Sequence, residues 1–96
     1  MFARFGMTPV KPGAGPQMTR VLAEFAQRYQ AMAGFKRLDI LVDEERNEYG
    51  SFTLWETRAA AEAAAAAASP QIREVLGDLA AGPTTARIFE VYEPEA

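Results

Sequence analysis

The sequence predicts an α+β protein with a ferredoxin-like β-α-β-β-α-(α)-β order, a four-stranded antiparallel sheet and helices on one sheet face. Three observations indicate this fold class. Several short segments alternate apolar and polar residues as strands do, a helical apolar stripe follows the first of them, and an alanine-rich run follows the third. The chain has 96 residues, so we expect one domain that spans residues 1–96.

The elements have recognisable boundaries. Pro16 suits the first position of a helix, and Gly34 suits the left-handed residue that ends one. Thr57 is the expected N-cap of the alanine-rich helix, and Pro70 begins a third, short helix. The expected strands cover 2–10, 35–42, 49–56 and 85–92, and the expected helices cover 16–33, 58–68 and 70 to about 81.

The same periodicities predict which side chains meet the helices. We expect Phe52 and Leu54 to face the helices and Thr53 and Trp55 to face the opposite side of the sheet. That opposite side is too apolar to stay in water on so small a protein, which favours a symmetric homodimer. The predicted core consists of Phe5, Val21, Leu22, Phe25, Phe52, Leu54 and Leu76.

Composition excludes several kinds of partner and site. The net charge is −3 with the basic residues scattered, which argues against binding to nucleic acid. The chain has neither histidine nor cysteine, so we expect no metal site and no cofactor. No apolar stretch is long enough to span a membrane, and the N-terminus carries no signal pattern. We therefore expect a cytoplasmic protein with no membrane partner.

Five segments carry a resemblance to a known family. They are Lys11–Gly15, Ala33–Phe35, Phe52–Arg58, Ser69–Pro70 and Ile88–Val91. On these segments nearly the whole chain resembles the antibiotic-biosynthesis monooxygenase-like family of dimeric α+β barrels. The resemblance implies a homodimer with a cavity beside or within the barrel. Members of the family include cofactor-free oxygenases of polycyclic phenols and anthrones, quinol monooxygenases and haem-degrading enzymes, and other members have no known reaction.

Individual residues indicate which of those activities this chain can have. Trp55 matches a tryptophan that family members carry at the end of the third strand. Haem-degrading members carry an asparagine where this chain has Gly6, and a haem-ligating histidine on the second helix where this chain has alanine. Ser51 stands where some oxygenase members carry an asparagine. The resemblance therefore points away from haem.

The candidate site residues each have two interpretations. Trp55 is either a cavity wall that stacks on a flat substrate or part of the packed core. Arg4 either holds a phenolate or reduced dioxygen, or pairs with Glu90 on a neighbouring strand. Glu90 and Tyr92 are either the acid–base groups that deprotonate a substrate or solvated edge residues. The remaining expected ligand contacts are Ser51, Thr53 and Phe2.

Two functions remain open on this evidence. The first is a small homodimeric barrel that binds a flat apolar or aromatic molecule and oxidises a quinol or polycyclic phenol with dioxygen and no cofactor. The second is a non-catalytic ligand-binding or structural member of the same fold. A closed cavity would favour the enzyme, and a face filled by side chains would favour the second function.

Overall fold

The computed structural model describes residues 1–94, without the side chains of residues 67–69 and 71–73. Residues 95 and 96 of the expected domain lie outside this description. The elements are β1 (Phe2–Pro9), α1 (Gly15–Gln30), β2 (Phe35–Asp43), β3 (Glu48–Trp55), α2 (Arg58–Leu79) and β4 (Thr85–Glu90). The four strands pair antiparallel in the order β2-β3-β1-β4, which confirms the predicted ferredoxin-like fold.

The alanine-rich segment and the segment after Pro70 form one helix. α2 runs without interruption for 22 residues and contains Pro70 in its interior. The side-chain hydroxyl of Thr57 accepts a hydrogen bond of 3.1 Å from the backbone N–H of Ala60, which confirms the predicted N-cap. A proline removes one backbone hydrogen bond but leaves the turn after it free to continue.

The predicted sheet faces are wrong by one residue. Thr53 and Trp55 are buried against the helices, with relative exposures of 1% and 0%. Phe5, expected in the core, is 40% exposed and lies opposite Phe52 on the other face. Both alternating sets of β3 contain large apolar residues, so alternation alone does not choose between them. The small side chains of α2 leave a space above the sheet that the tryptophan fills.

The rest of the core forms two clusters on the helix side of the sheet. The first joins Phe25, Tyr29 and Trp55 with the buried alanines of α2. The second joins Met18 and Leu76 with the residue that follows β1. Phe25 and Leu76 are therefore buried as predicted. Of the other predicted core residues, Val21 and Leu22 are half-buried against these clusters, and Leu54 is half-buried on the opposite face.

The opposite face of the sheet has no helix over it in the described part of the chain. We call this surface the open sheet face. One row across it places Asp39, Phe52, Phe5 and Arg87 side by side on the four strands. Asp39 is also paired with Arg37 at 2.8 Å. The surface therefore has an apolar centre with charged residues at both edges. No described helix is both long and apolar enough to cross a membrane.

Candidate functional site

A partly enclosed cavity lies between the helix side of the sheet and the helices. A water-sized sphere can occupy about 60 Å³ of it. We call it the Arg4 cavity. Its lining consists of Arg4, Gly6, Thr8, Met18, Leu22, Phe25, Tyr29, Leu38, Tyr49, Gly50, Ser51, Leu76 and Thr84. Apolar atoms supply most of its surface, and five of the lining residues carry a hydroxyl group.

The pairing of β1 with β3 brings the polar lining together. Gly6 lies directly opposite Ser51, and Thr8 lies directly opposite Tyr49. Because side chains two residues apart share a sheet face, Arg4 points to the same side as Gly6 and Thr8. Tyr29 reaches the cavity from α1, where it follows the buried Phe25 by one helical turn. The two central strands and α1 therefore supply most of the polar lining.

Arg4 gives the cavity its charge. It is the one formally charged residue among those that line the cavity. Among the described residues, no carboxylate lies within 4.0 Å of its guanidinium. A cation without an anionic partner in largely apolar surroundings favours an anionic ligand. The arrangement can therefore hold a phenolate, an enolate or another small anion.

Burial and the positive charge of Arg4 both act on the pKa of Tyr29, a phenol in the same cavity lining. Burial raises the pKa of Tyr29 above its ordinary value of 10.0, and the positive charge of Arg4 opposes that shift. The phenol is therefore protonated at neutral pH and can donate a hydrogen bond into the cavity. It cannot serve as a base at that pH.

A hydrogen-bonded chain ties Trp55 to the strand that carries Arg4. The indole Nε1 donates to Oγ1 of Thr53 at 2.9 Å, and that hydroxyl donates to the backbone carbonyl of Arg4 at 3.4 Å. The Trp55 ring also meets Tyr29 and Phe35 edge to face, with centroids 5.9 and 5.5 Å apart. Trp55 therefore lies behind the lining, packed on all sides.

The structure brings some of the sequence-predicted site residues together and leaves others apart. Arg4 and Ser51 line the cavity, and Thr53 and Trp55 lie directly behind it. Phe2 lies outside the lining, with the guanidinium of Arg58 5.1 Å from its ring centroid.

The two expected acid–base groups are not in the lining. Glu90 lies opposite Phe2 on the edge strand β4 and is exposed. Tyr92 lies beyond β4 and is 86% exposed. Within residues 1–94 no ion pair joins Arg4 to Glu90. Residues 1–94 also contain no cluster of carboxylates that could hold a metal ion.

Sequence reasoning missed the hydroxyl groups that complete the site. Tyr29, Tyr49, Thr8 and Thr84 all line the cavity, and the hydroxyls of Thr8 and Thr84 are 2.7 Å apart. Tyr29 stands in the apolar stripe of α1, and its spacing there predicts only that it packs in the core. A phenol hydroxyl in an otherwise apolar stripe needs a hydrogen-bond partner, and this could have indicated a polar site at Tyr29.

These observations define the class of protein: a ferredoxin-like α+β protein with a cavity between the sheet and its helices. Residues 1–76 match the family model for antibiotic biosynthesis monooxygenases, and the chain belongs to that family. No curated protein matches it.

Solved structures agree with this assignment at the level of the fold. SnoaB, a cofactor-independent oxygenase from Streptomyces nogalater, is 20% identical with a TM-score of 0.78, over 97% of this chain and 94% of that one. A protein of unknown function from Nitrosomonas europaea is 18% identical with a TM-score of 0.84, over 99% and 92%. A Mycobacterium tuberculosis protein is 16% identical with a TM-score of 0.81, over 99% and 98%.

Proposed function

We propose that this chain is a cofactor-independent monooxygenase that binds a quinol or polycyclic phenol as its anion in the Arg4 cavity. The observation that carries the proposal is the Arg4 guanidinium, which faces an apolar cavity without a carboxylate partner among the described residues. The likeness to a cofactor-independent oxygenase adds support at the level of the fold. A planar substrate suits a cavity that lies between the sheet and the helices.

Arg4 has two roles in this proposal. Each unit by which a positive charge lowers the pKa of a bound phenol corresponds to about 1.4 kcal/mol of stabilisation of the phenolate. The same charge then stabilises superoxide, which forms when the substrate anion passes one electron to dioxygen. A hydrogen bond from the protonated Tyr29 stabilises both anions further.

The atoms and electrons balance without an external reductant. For an anthrone, the substrate anion and dioxygen recombine after electron transfer into a carbon-bound peroxide. Loss of water from the protonated peroxide then leaves a carbonyl. The ring CH₂ has become C=O, one oxygen atom is in the product, and the other leaves as water. The substrate itself supplies every electron.

The first proton goes to water in this proposal. Glu90 and Tyr92, the expected bases, lie outside the cavity lining. Tyr29 keeps its own proton because its pKa is raised. The cavity is partly open, so solvent can accept the proton that Arg4 has made more acidic. We therefore assign Glu90 and Tyr92 no part in proton transfer.

The volume of the cavity favours a second candidate function. Ligand sites for molecules of drug size occupy roughly 300–1,000 Å³, whereas a water-sized sphere can occupy about 60 Å³ here. A polycyclic substrate must therefore displace side chains such as Met18, Leu22 or Leu76. If it does not, the chain is a non-catalytic binding or structural member of the family.

We also propose that the chain is a homodimer formed by two open sheet faces. Phe5 on the central strand β1 and Phe89 on the edge strand β4 are 40% and 41% exposed, which leaves two aromatic rings of this face in contact with water. Asp39 at one edge and Arg87 at the other are oppositely charged. A two-fold axis parallel to the strands places each of them over the other on the partner.

Oxygen uptake with a panel of quinols and anthrones tests the activity. We expect the wild type to consume dioxygen and Arg4→Gln to be at least about tenfold slower, while Arg4→Lys keeps part of the rate. Arg20→Gln, on the exposed surface of α1, is the matched control and keeps the wild-type rate. Equal rates for Arg4→Gln and the wild type would contradict the role of Arg4. No uptake with any substrate, but saturable quenching of Trp55 fluorescence, would favour the binding function.

A further inference from the structure

Gly6 is a glycine in the middle of a central strand, with its missing side chain directed at the Arg4 cavity. It lies in β1, is buried and belongs to the cavity lining. Glycine weakens a strand because it loses more conformational entropy on folding and packs no side chain. Its presence there therefore calls for a reason in the surroundings.

The fold gives such a reason for other glycines but not for this one. Gly34 has a φ of +82°, and a Cβ there would lie 2.8 Å from the Cβ of Ala60. A Cβ on Gly50 would overlap the carbonyl oxygen of Gly6. By contrast, a Cβ on Gly6 would meet Ala86 and Thr85 at 3.5 Å, which is ordinary contact. Gly6 does not have a positive φ either.

The space that a Cβ would take lies beside the charged group. The built Cβ position is 3.9 Å from Nη1 of Arg4. Ser51, the cross-strand partner of Gly6, adds a hydroxyl to the same part of the lining. An oxygen atom placed beside Gly6 would therefore have a cationic donor close to it and a second polar group from the neighbouring strand.

We infer that Gly6 is a specificity-determining residue that keeps open the position of the substrate's anionic oxygen next to Arg4. The inference rests on the proposed function and narrows its substrate class. The ligand is an aromatic phenolate or enolate whose ring positions next to the oxygen carry no bulky group. Any side chain at Gly6 fills the position that this oxygen needs.

Binding of 4-nitrophenol tests this, because its phenolate absorbs visible light and its phenol does not. At a pH where the free compound is mostly protonated, we expect the wild type to increase the phenolate band in a saturable way. Gly6→Ala should bind more weakly, and Gly6→Val should bind at least about tenfold more weakly. Gly77→Ala, at an exposed glycine where an added Cβ would meet no atom outside its own helix backbone within 4 Å, should bind as the wild type does.

Thermal unfolding of the same variants separates a binding role from a structural one. We expect Gly6→Ala to unfold at the wild-type temperature or above it, since the fold does not need glycine there. Three results would overturn the inference: a lower unfolding temperature for Gly6→Ala, wild-type binding by both Gly6 variants, or no saturable band with the wild type. A saturable band that Gly6→Val loses, without oxygen uptake for any quinol or anthrone, would overturn the monooxygenase proposal alone.

Discussion

The indole Nε1 of Trp55 donates a hydrogen bond of 2.9 Å to Oγ1 of Thr53, and both residues are almost completely buried. That hydroxyl in turn donates to the carbonyl of Arg4 on the neighbouring strand. The bond satisfies the polar tip of the largest side chain in the core. It also connects the packing around Trp55 to the strand segment that positions the cationic group of the cavity.

Thr53→Val removes the acceptor of the Trp55 N–H. We expect the free energy of unfolding to fall by about 1–3 kcal/mol, because a buried donor is left without a partner. Trp55→Phe should cost about 1–2 kcal/mol through lost packing. The double variant should cost less than the sum, since no unpaired donor remains. Urea titrations give the free energy of unfolding of the wild type, the two single variants and the double variant. If the two single losses of stability add up to the loss in the double variant, the hydrogen bond does not couple the two residues.

Trp55→Phe also distinguishes packing from ligand contact. Trp55 does not line the Arg4 cavity, so we expect the variant to bind 4-nitrophenol with close to wild-type affinity despite its lower stability. Visible absorbance gives the affinity without relying on tryptophan fluorescence. A stable Trp55→Phe protein whose binding is weakened as much as that of Arg4→Gln would mean that Trp55 contacts the ligand.

Stability at alkaline pH should depend on Tyr29. Its pKa in the folded protein is raised above 10.0, so the unfolded chain releases this proton first as the pH rises. The contribution to stability is therefore complete below pH 10 and is lost as the pH rises through the folded pKa. We expect Tyr29→Phe to show a smaller loss of stability above pH 10 than the wild type. Tyr92→Phe, at an 86% exposed ring, is the matched control.

Two glycine-to-alanine variants should have opposite effects. Gly34→Ala places a side chain at a positive φ and against Ala60, so we expect a loss of about 1–3 kcal/mol of stability. Gly77→Ala lies in α2 with open space around it, so we expect a gain of about 0.5–1 kcal/mol. Denaturant unfolding measures both. A neutral Gly34→Ala would contradict the close contact between α2 and the connection from α1 to β2.

The dimer proposal predicts the effect of a charge on the open sheet face. The wild-type chain of 10.5 kDa should sediment as a dimer at micromolar concentration. Phe5→Glu should sediment as a monomer, because it buries a carboxylate in the apolar centre of the interface. Val75→Glu, at a 37% exposed position of α2, should remain dimeric. A monomeric wild type would contradict the proposal directly.

Much of the fold was accessible from local patterns. Three features depend on neighbouring residues alone: the helical stripe of α1 with Pro16 in its first turn, the cap at Thr57, and the alternation in the strands. The order of these elements then restricts the sheet to few topologies. The same alternation predicts that Arg4 and Ser51 belong to one site, because it places both on the same face of two paired strands.

The tertiary structure decided which face of the sheet meets the helices. Phe52 and Trp55 are both large and apolar, so alternation in β3 fits either orientation, and the choice depends on the volume that α2 leaves above the sheet. The same choice of face placed Arg4 in the partly enclosed cavity beside Tyr29. It also left Glu90 at the solvated edge. Alternation specifies which side chains share a face, whereas the helices packed on that face determine whether it becomes a site.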